Sequence, residues 1–226
     1  MTLKIAGIDP SIDSTGKCIM TLNDNYDVID IAFYGYNSVK KRCFKENNVE
    51  VFHVGTKYKK MNMHDRQNIA YEYLKKDMED IKYVAFEGYA LAKKHTRSLV
   101  QLGEFIGGMK KMYYDMGIGI IIYAPRMVKR FATGDGNAEK VHMCRMFQEE
   151  YTDLYPREFK KLTPYIDPHG DMCDAFWMAE TLRCQIMYEK LGREAMDEGI
   201  VAFLEHKSTP KTASIIETKM IRKEMN

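Results

Sequence analysis

Four carboxylates stand where they could do chemistry. Asp9 ends the apolar run Leu3-Lys4-Ile5-Ala6-Gly7-Ile8, and Glu87 ends Tyr83-Val84-Ala85-Phe86. Asp171 and Asp174 lie three apart in His169-Gly170-Asp171-Met172-Cys173-Asp174, at the expected start of a helix. At that spacing two side chains share one helix face, with Cβ atoms roughly 5–6 Å apart. Two acids at strand ends and two on a helix face would make a compact, oxygen-rich pocket. Hard divalent cations, Mg²⁺ or Mn²⁺, take such ligands and can engage a phosphate. Each acid also has a plainer reading. Asp9 could close a turn, Glu87 could pair with a lysine, and Asp171 and Asp174 could serve the positive end of a helix dipole. Four together are harder to explain this way, because their mutual repulsion needs a cation to offset it.

Other groups could serve a phosphate. His169 precedes the acidic pair by two residues and could ligate metal, orient a water or simply face solvent. Thr133-Gly134-Asp135-Gly136-Asn137 places two glycines ahead of a helix, where free N–H groups could cradle an anion. It lacks the G-x-x-x-x-G-K-[ST] pattern, so no nucleotide cofactor is expected. Lys129 and Lys140 flank this stretch and could stabilise charge developing on a phosphate. Basic clusters occur at Lys40-Lys41-Arg42, at Lys57-Tyr58-Lys59-Lys60, and at Lys93, Lys94 and Arg97 just after Tyr89. Singly these are ordinary solvated surface. On one face with the acids they would bind DNA phosphates with strong salt dependence, and Tyr89 could stack on a base.

The elements that must position these groups follow from the hydrophobic pattern. Strands are expected at 3–9, 17–22 and 28–36, with Asp13-Ser14-Thr15-Gly16 turning between the first two. Residues 37–60 read as an irregular basic insertion with a strand-like piece at 49–52. A helix follows from Asn62 to Asp80, then the strand ending at Glu87, a long helix from Thr96 to Gly117, and a strand at 118–123. Gly107-Gly108 inside the long helix is either a local weakness or a point of close approach by another backbone, such as a partner subunit's. Helices are expected at 127–131, 138–150 and 170–190, and one more at 195–205 before a basic tail. A meander followed by alternating helices and strands predicts an α/β fold with a mixed sheet flanked by helices, over residues 1–191. Residues 192–226 form the remaining helix and tail.

At 226 residues, with 45% hydrophobic and 29% charged residues, the chain can bury a substantial core and is not compositionally disordered. Its formal net charge of +2 neither requires nor excludes nucleic acid. Five scattered cysteines without a C-x-x-C pair argue for a reducing compartment and against a disulfide framework or zinc knuckle. No apolar run approaches about 20 residues, so no membrane span is expected, and the chain is read as cytoplasmic.

In this order, the motifs resemble the RuvC family of Holliday junction resolvases in the ribonuclease H-like superfamily. The resemblance runs through Ile5-Ala6-Gly7-Ile8-Asp9-Pro10 with Thr15-Gly16, and through Val84-Ala85-Phe86-Glu87 with Ala92-Lys93. Leu102-Gly103, Tyr123-Ala124-Pro125, Val128-Lys129, Gly134-x-Gly136-x-Ala138-Glu139-Lys140 and Asp171-x-x-Asp174-Ala175 complete it. It implies a ribonuclease H-like fold and a metal-dependent nuclease with Asp9, Glu87, Asp171 and Asp174 as its acidic tetrad, holding two Mg²⁺ or Mn²⁺ ions. Lys129 and Lys140 match basic residues near the scissile strand. The family works as a homodimer on a four-way junction, nicking paired strands to leave 5′-phosphate ends. Three departures stand out. The family's wedge aromatic falls on Ala90, next to Tyr89. Some relatives carry histidine at the third acidic position, which brings His169 into question. The 37–60 insertion and the tail have no counterpart in compact bacterial enzymes. The Lys-, Asn-, Met- and Tyr-rich composition fits a phage-encoded relative, working in the host cytoplasm.

Overall fold

The computed structural model describes residues 2–38, 43–55, 58–88 and 96–205. Tyr89, Ala90, Lys93 and Lys94 lie outside the described residues, as do the basic cluster at 40–42 and the tail beyond 205. Arg97 is within a helix, but its side chain also lies outside the description.

Strands β1 (Leu3–Asp9), β2 (Ser14–Leu22) and β3 (Val28–Asn37) form the expected antiparallel meander. On the other side of β1, strands β6 (Tyr83–Glu87) and β7 (Gly119–Tyr123) add in parallel. Among the described residues the sheet has seven strands, with β4 (Phe44–Glu46) and β5 (Val49–His53) included, in the order β4-β5-β3-β2-β1-β6-β7. The connections after β5 (Val49–His53) and β6 cross over through helices α1 (Met63–Lys75) and α2 (Thr96–Asp115). On the site side follow α3 (Pro125–Thr133), α4 (Lys140–Glu150) and α5 (His169–Leu191). A short α6 (Glu198–Glu205) closes the described chain, with Phe203 against Phe131. Among the described residues no helix is long and apolar enough to cross a membrane.

Strand alternation sorts the two faces. Tyr34, Tyr36 and Lys17 point toward α1, where Tyr36 packs on Tyr73 and Lys17 donates to the Lys76 carbonyl at 2.5 Å. Phe33 and Gly35 point the other way, toward Phe147 of α4 and Met172 of α5. The sheet is thus buried on both sides, which is why β1 reads as a nearly continuous apolar run rather than an alternating one.

Two glycines seat α5 on the sheet. A Cβ on Gly7 would lie 2.1 Å from the Ala175 carbonyl oxygen, and one on Gly16 would lie 2.0 Å from that of Asp171. Helix backbone therefore rests directly on strand backbone, bringing the first turns of α5 down to the end of β1.

Three local expectations change. Residues 37–60 are not wholly irregular: β4 (Phe44–Glu46) and β5 form a hairpin that extends the sheet beside β3. Asn47, at φ 47°, makes the turn, a conformation asparagine tolerates. Val49 and Val51 are buried, so the strand-like piece at 49–52 is β5, and β4 is the strand that the polar sequence concealed. The β1–β2 turn falls earlier than Asp13–Gly16, because Asp9 already pairs with Gly16. In α2, Gly108 makes room for a side chain of this chain rather than another backbone. Tyr71 lies across it and donates to the Phe105 carbonyl at 3.0 Å.

Candidate active site

Strand register brings the first two acids together. Ile8 aligns with Phe86 in the parallel β1–β6 pair, so Asp9 and Glu87 end neighbouring strands on the same face. That face is the one α5 covers. Asp171 and Asp174 come down onto it through the close seat at Gly7 and Gly16. The two helical acids do not cap α5, because Asp171 spends its oxygens elsewhere: Oδ2 accepts from the Ser14 hydroxyl and Oδ1 from Lys140.

Lys140 is the centre of the arrangement. Its ammonium contacts Asp171 directly and lies 3.0 Å from Asp167, 3.5 Å from Asp174 and 3.6 Å from Asp9. It reaches the acids from the first turn of α4, passing over Gly170, where a Cβ would sit 2.7 Å from the lysine stem. A side chain at 170 would close this route.

The electrostatics report a cluster short of positive charge. Burial first, then the charge of Asp174, pushes Asp9 up to about 7, although Lys140 opposes the shift. Burial pushes Asp174 up to about 8, again against Lys140. Asp171 is raised well above the carboxylate range by burial and by Asp9. Glu87 is raised by burial, with Lys129 and Lys140 pulling the other way. Burial works against the Lys140 ammonium, but Asp9, Asp171 and Asp174 together hold it above its ordinary value. One monovalent ammonium does not neutralise four carboxylates. Divalent cations would offset the excess, and the donor set, all carboxylate oxygen, suits Mg²⁺ or Mn²⁺.

The turn that carries Ser14 is itself clamped. Tyr58 donates to the Ile12 carbonyl at 2.5 Å and Tyr36 to the same oxygen at 3.1 Å, while Arg66 pairs with Asp13. Ser14, Asp167 and this clamp were not among the residues singled out from sequence. The Ser-Ile-Asp-Ser-Thr run offered only a turn signal.

The other expected residues fall as follows. Lys129, on α3, acts on Glu87 through its charge. His169 is turned away from the acids. Its Nδ1 accepts the Tyr165 amide at 3.1 Å, and its Nε2 lies 2.8 Å from the Tyr155 hydroxyl, in a wall of aromatic rings. Helical spacing explains this, since His169 and Cys173 occupy a face nearly opposite Asp171 and Asp174. It is neither solvent-exposed nor beside the acidic pocket. The glycines at 134 and 136 do not open α4 as an anion cradle. Gly134 (φ 78°) terminates α3, and the Asp135 carboxylate accepts the Asn137 amide, so the turn consumes its own donors.

No family model and no curated protein matches the sequence. Solved structures do. Thermus thermophilus RuvC aligns at a TM-score of 0.53 and 17% identity, covering 84% of this chain and 97% of its own. The same protein in complex with a Holliday junction substrate aligns at 0.54 and 17%, covering 84% and 96%. The fold is that of RuvC. The mixed sheet and its helical layers agree with the ribonuclease H-like fold expected from the motifs.

Proposed function

We propose that this chain is a divalent-metal-dependent endonuclease that resolves four-way DNA junctions. One observation carries the reading: on a RuvC fold, carboxylates from a strand end and one helix converge on a single ammonium that stands where a cation belongs, with Glu87 ending the neighbouring strand. Asp9, Glu87, Asp171 and Asp174 would hold the metal. When bound, two such ions would supply the charge that activates an attacking water and stabilises the leaving 3′-oxygen, giving 5′-phosphate ends.

The chain's own residues do the rest. Ser14 and Lys140 orient Asp171 by holding one oxygen each. Asp9 lies 3.6 Å from the Lys140 ammonium, on the strand beside the one that ends in Glu87. Lys140 is one-third exposed, and it presents positive charge at the mouth where a phosphate approaches. Lys129 lends further charge beside Glu87. Lys93, Lys94, Arg97 and Tyr89 follow Glu87 in sequence and are proposed to carry the DNA on from the pocket. Paired nicking requires two such pockets, so the working form is proposed to be a homodimer.

Asp9→Asn and Glu87→Gln test the assignment. Both should abolish cleavage while leaving junction binding intact, because they remove a ligand charge without altering the fold. Cleavage at the wild-type rate by either variant would refute it.

A further inference from the structure

A second group of ligating side chains lies behind the acids, and its chemistry is different. Cys144 of α4 and His169 and Cys173 of α5 are all buried, and one ligand atom from each lies within 4.8 Å of the others. His169 Nε2 is 3.9 Å from Cys173 Sγ and 2.8 Å from the Tyr155 hydroxyl. We propose that these three residues form a soft-metal site that takes Zn²⁺, separate from the acidic pocket.

The 3.9 Å between His169 and Cys173 suits the ion, and Cys144 lies within 4.8 Å of both. Zinc binds sulfur at about 2.3 Å and imidazole nitrogen at about 2.0 Å, so ligands around it stand roughly 3.5–3.9 Å apart. His169 and Cys173, at i and i+4, project from one face of α5, and Cys144 meets them from α4. Zn²⁺ with two thiolates and a neutral imidazole carries no net charge, which suits a buried setting. The Tyr155 hydroxyl, 2.8 Å from His169 Nε2, is a nearby oxygen. The donors are also the wrong kind for Mg²⁺, as the carboxylates are the wrong kind for a thiophilic ion, so two different cations can be sorted on one helix. A cleft of about 740 Å³ bordered by Tyr155, Phe159, Tyr165 and His169 offers a way in.

Loading has a stated structural consequence. His169 Nδ1 now accepts the Tyr165 amide. Ligation through Nε2 moves the ring proton to Nδ1, so the Tyr165 hydrogen bond must be released. The loop from 163 to 168 then shifts, and that loop carries Asp167, one of Lys140's partners.

Cobalt provides the test, because thiolate ligation gives an intense near-ultraviolet charge-transfer band that carboxylates do not. Metal-stripped wild-type protein is titrated with Co²⁺, then with Zn²⁺. The expected result is a thiolate band that saturates at one equivalent and is lost on adding zinc. It should survive Glu87→Gln and disappear in Cys173→Ser. The Tyr165 amide resonance should move on zinc addition. Absence of the band in reduced wild-type protein would overturn the proposal and leave the cluster as a hydrogen-bonded core. A band that persists in Cys144→Ser and Cys173→Ser would overturn it equally, by placing the metal on other thiols. The wild-type titration is decisive even if a variant does not fold. It is also independent of nuclease activity, so it stands or falls apart from the proposed function.

Discussion

Replacing Asp174 with asparagine should stabilise the metal-free protein at neutral pH, although it removes a proposed ligand. Asp174 is raised in the folded chain from an ordinary 3.8 to about 8, first by burial. A raised folded pKa contributes stability that is fully present below the unfolded value and is lost as pH rises through the folded one. Between about pH 4 and pH 8 this site therefore costs about 1.4 kcal/mol per pH unit. At pH 7 the ceiling is about 4 kcal/mol. Asparagine, neutral throughout, escapes that cost but loses the carboxyl group's contact with the Lys140 ammonium at 3.5 Å, worth at most about 1.5–3 kcal/mol as a hydrogen bond to a charged group. The net expectation at pH 7 is a gain on the order of 2 kcal/mol. At pH 5 the ceiling falls to about 1.6 kcal/mol, and the gain should vanish or reverse. The assay is urea denaturation in EDTA at both pH values, with wild-type and Asp174→Asn side by side. Saturating Mg²⁺ should then reverse the order at pH 7, because only the wild type keeps the full ligand set. If Asp174→Asn is less stable than wild type at pH 7 without metal, and the gap is the same at pH 5, the acids are not a charge-strained cluster and the reasoning fails.

Further outcomes follow from the same geometry. Ser14→Ala frees one Asp171 oxygen and should weaken Mn²⁺ binding several-fold, with Ser14→Thr restoring it; unchanged Mn²⁺ affinity in Ser14→Ala would show that the hydroxyl positions nothing. Gly16→Ala would drive a Cβ into the Asp171 carbonyl at 2.0 Å, lifting α5 from the sheet. Urea melts should show a loss of about 1–3 kcal/mol or more, the usual cost of overpacking, and a neutral result would mean that the helix does not rest on the strand there. Lys140→Ala should slow cleavage more than it weakens junction binding, measured by single-turnover kinetics and gel shift. Equal losses in both would make Lys140 a simple phosphate anchor.

Much of this architecture is readable in the chain because burial on both sheet faces leaves simple patterns. Runs such as Ile5-Ala6-Gly7-Ile8 and Val84-Ala85-Phe86 have no polar face to confuse them, and each stops at a carboxylate. The strand-end acids could thus be found without knowing the pairing, and parallel register then aligned them. The first strand of the hairpin, at 44–46, was hidden by its charges, where Lys45 pairs with Glu50 and Glu46 with Lys161. Sequence distance concealed the rest. Ser14 and Asp171 meet across 157 positions, and nothing local to either announces the contact. His169 was open to three readings because its neighbours in sequence are the acids. Helical rotation sends it instead to Tyr155 and the cysteines. The glycines at 134 and 136 carried the right composition for an anion site, but the Asp135 side chain accepts the Asn137 amide and Gly134 ends α3.

The most direct test of the central claim is cleavage of an end-labelled immobile four-way junction in Mg²⁺, beside matched duplex, three-way, flap and RNA–DNA hybrid substrates, with Glu87→Gln as the control. The account predicts paired, symmetrical nicks with 5′-phosphate ends in the junction, dependent on metal and absent from the control. Binding of the junction without any cleavage in Mg²⁺ or Mn²⁺, or cleavage confined to the hybrid, would contradict it.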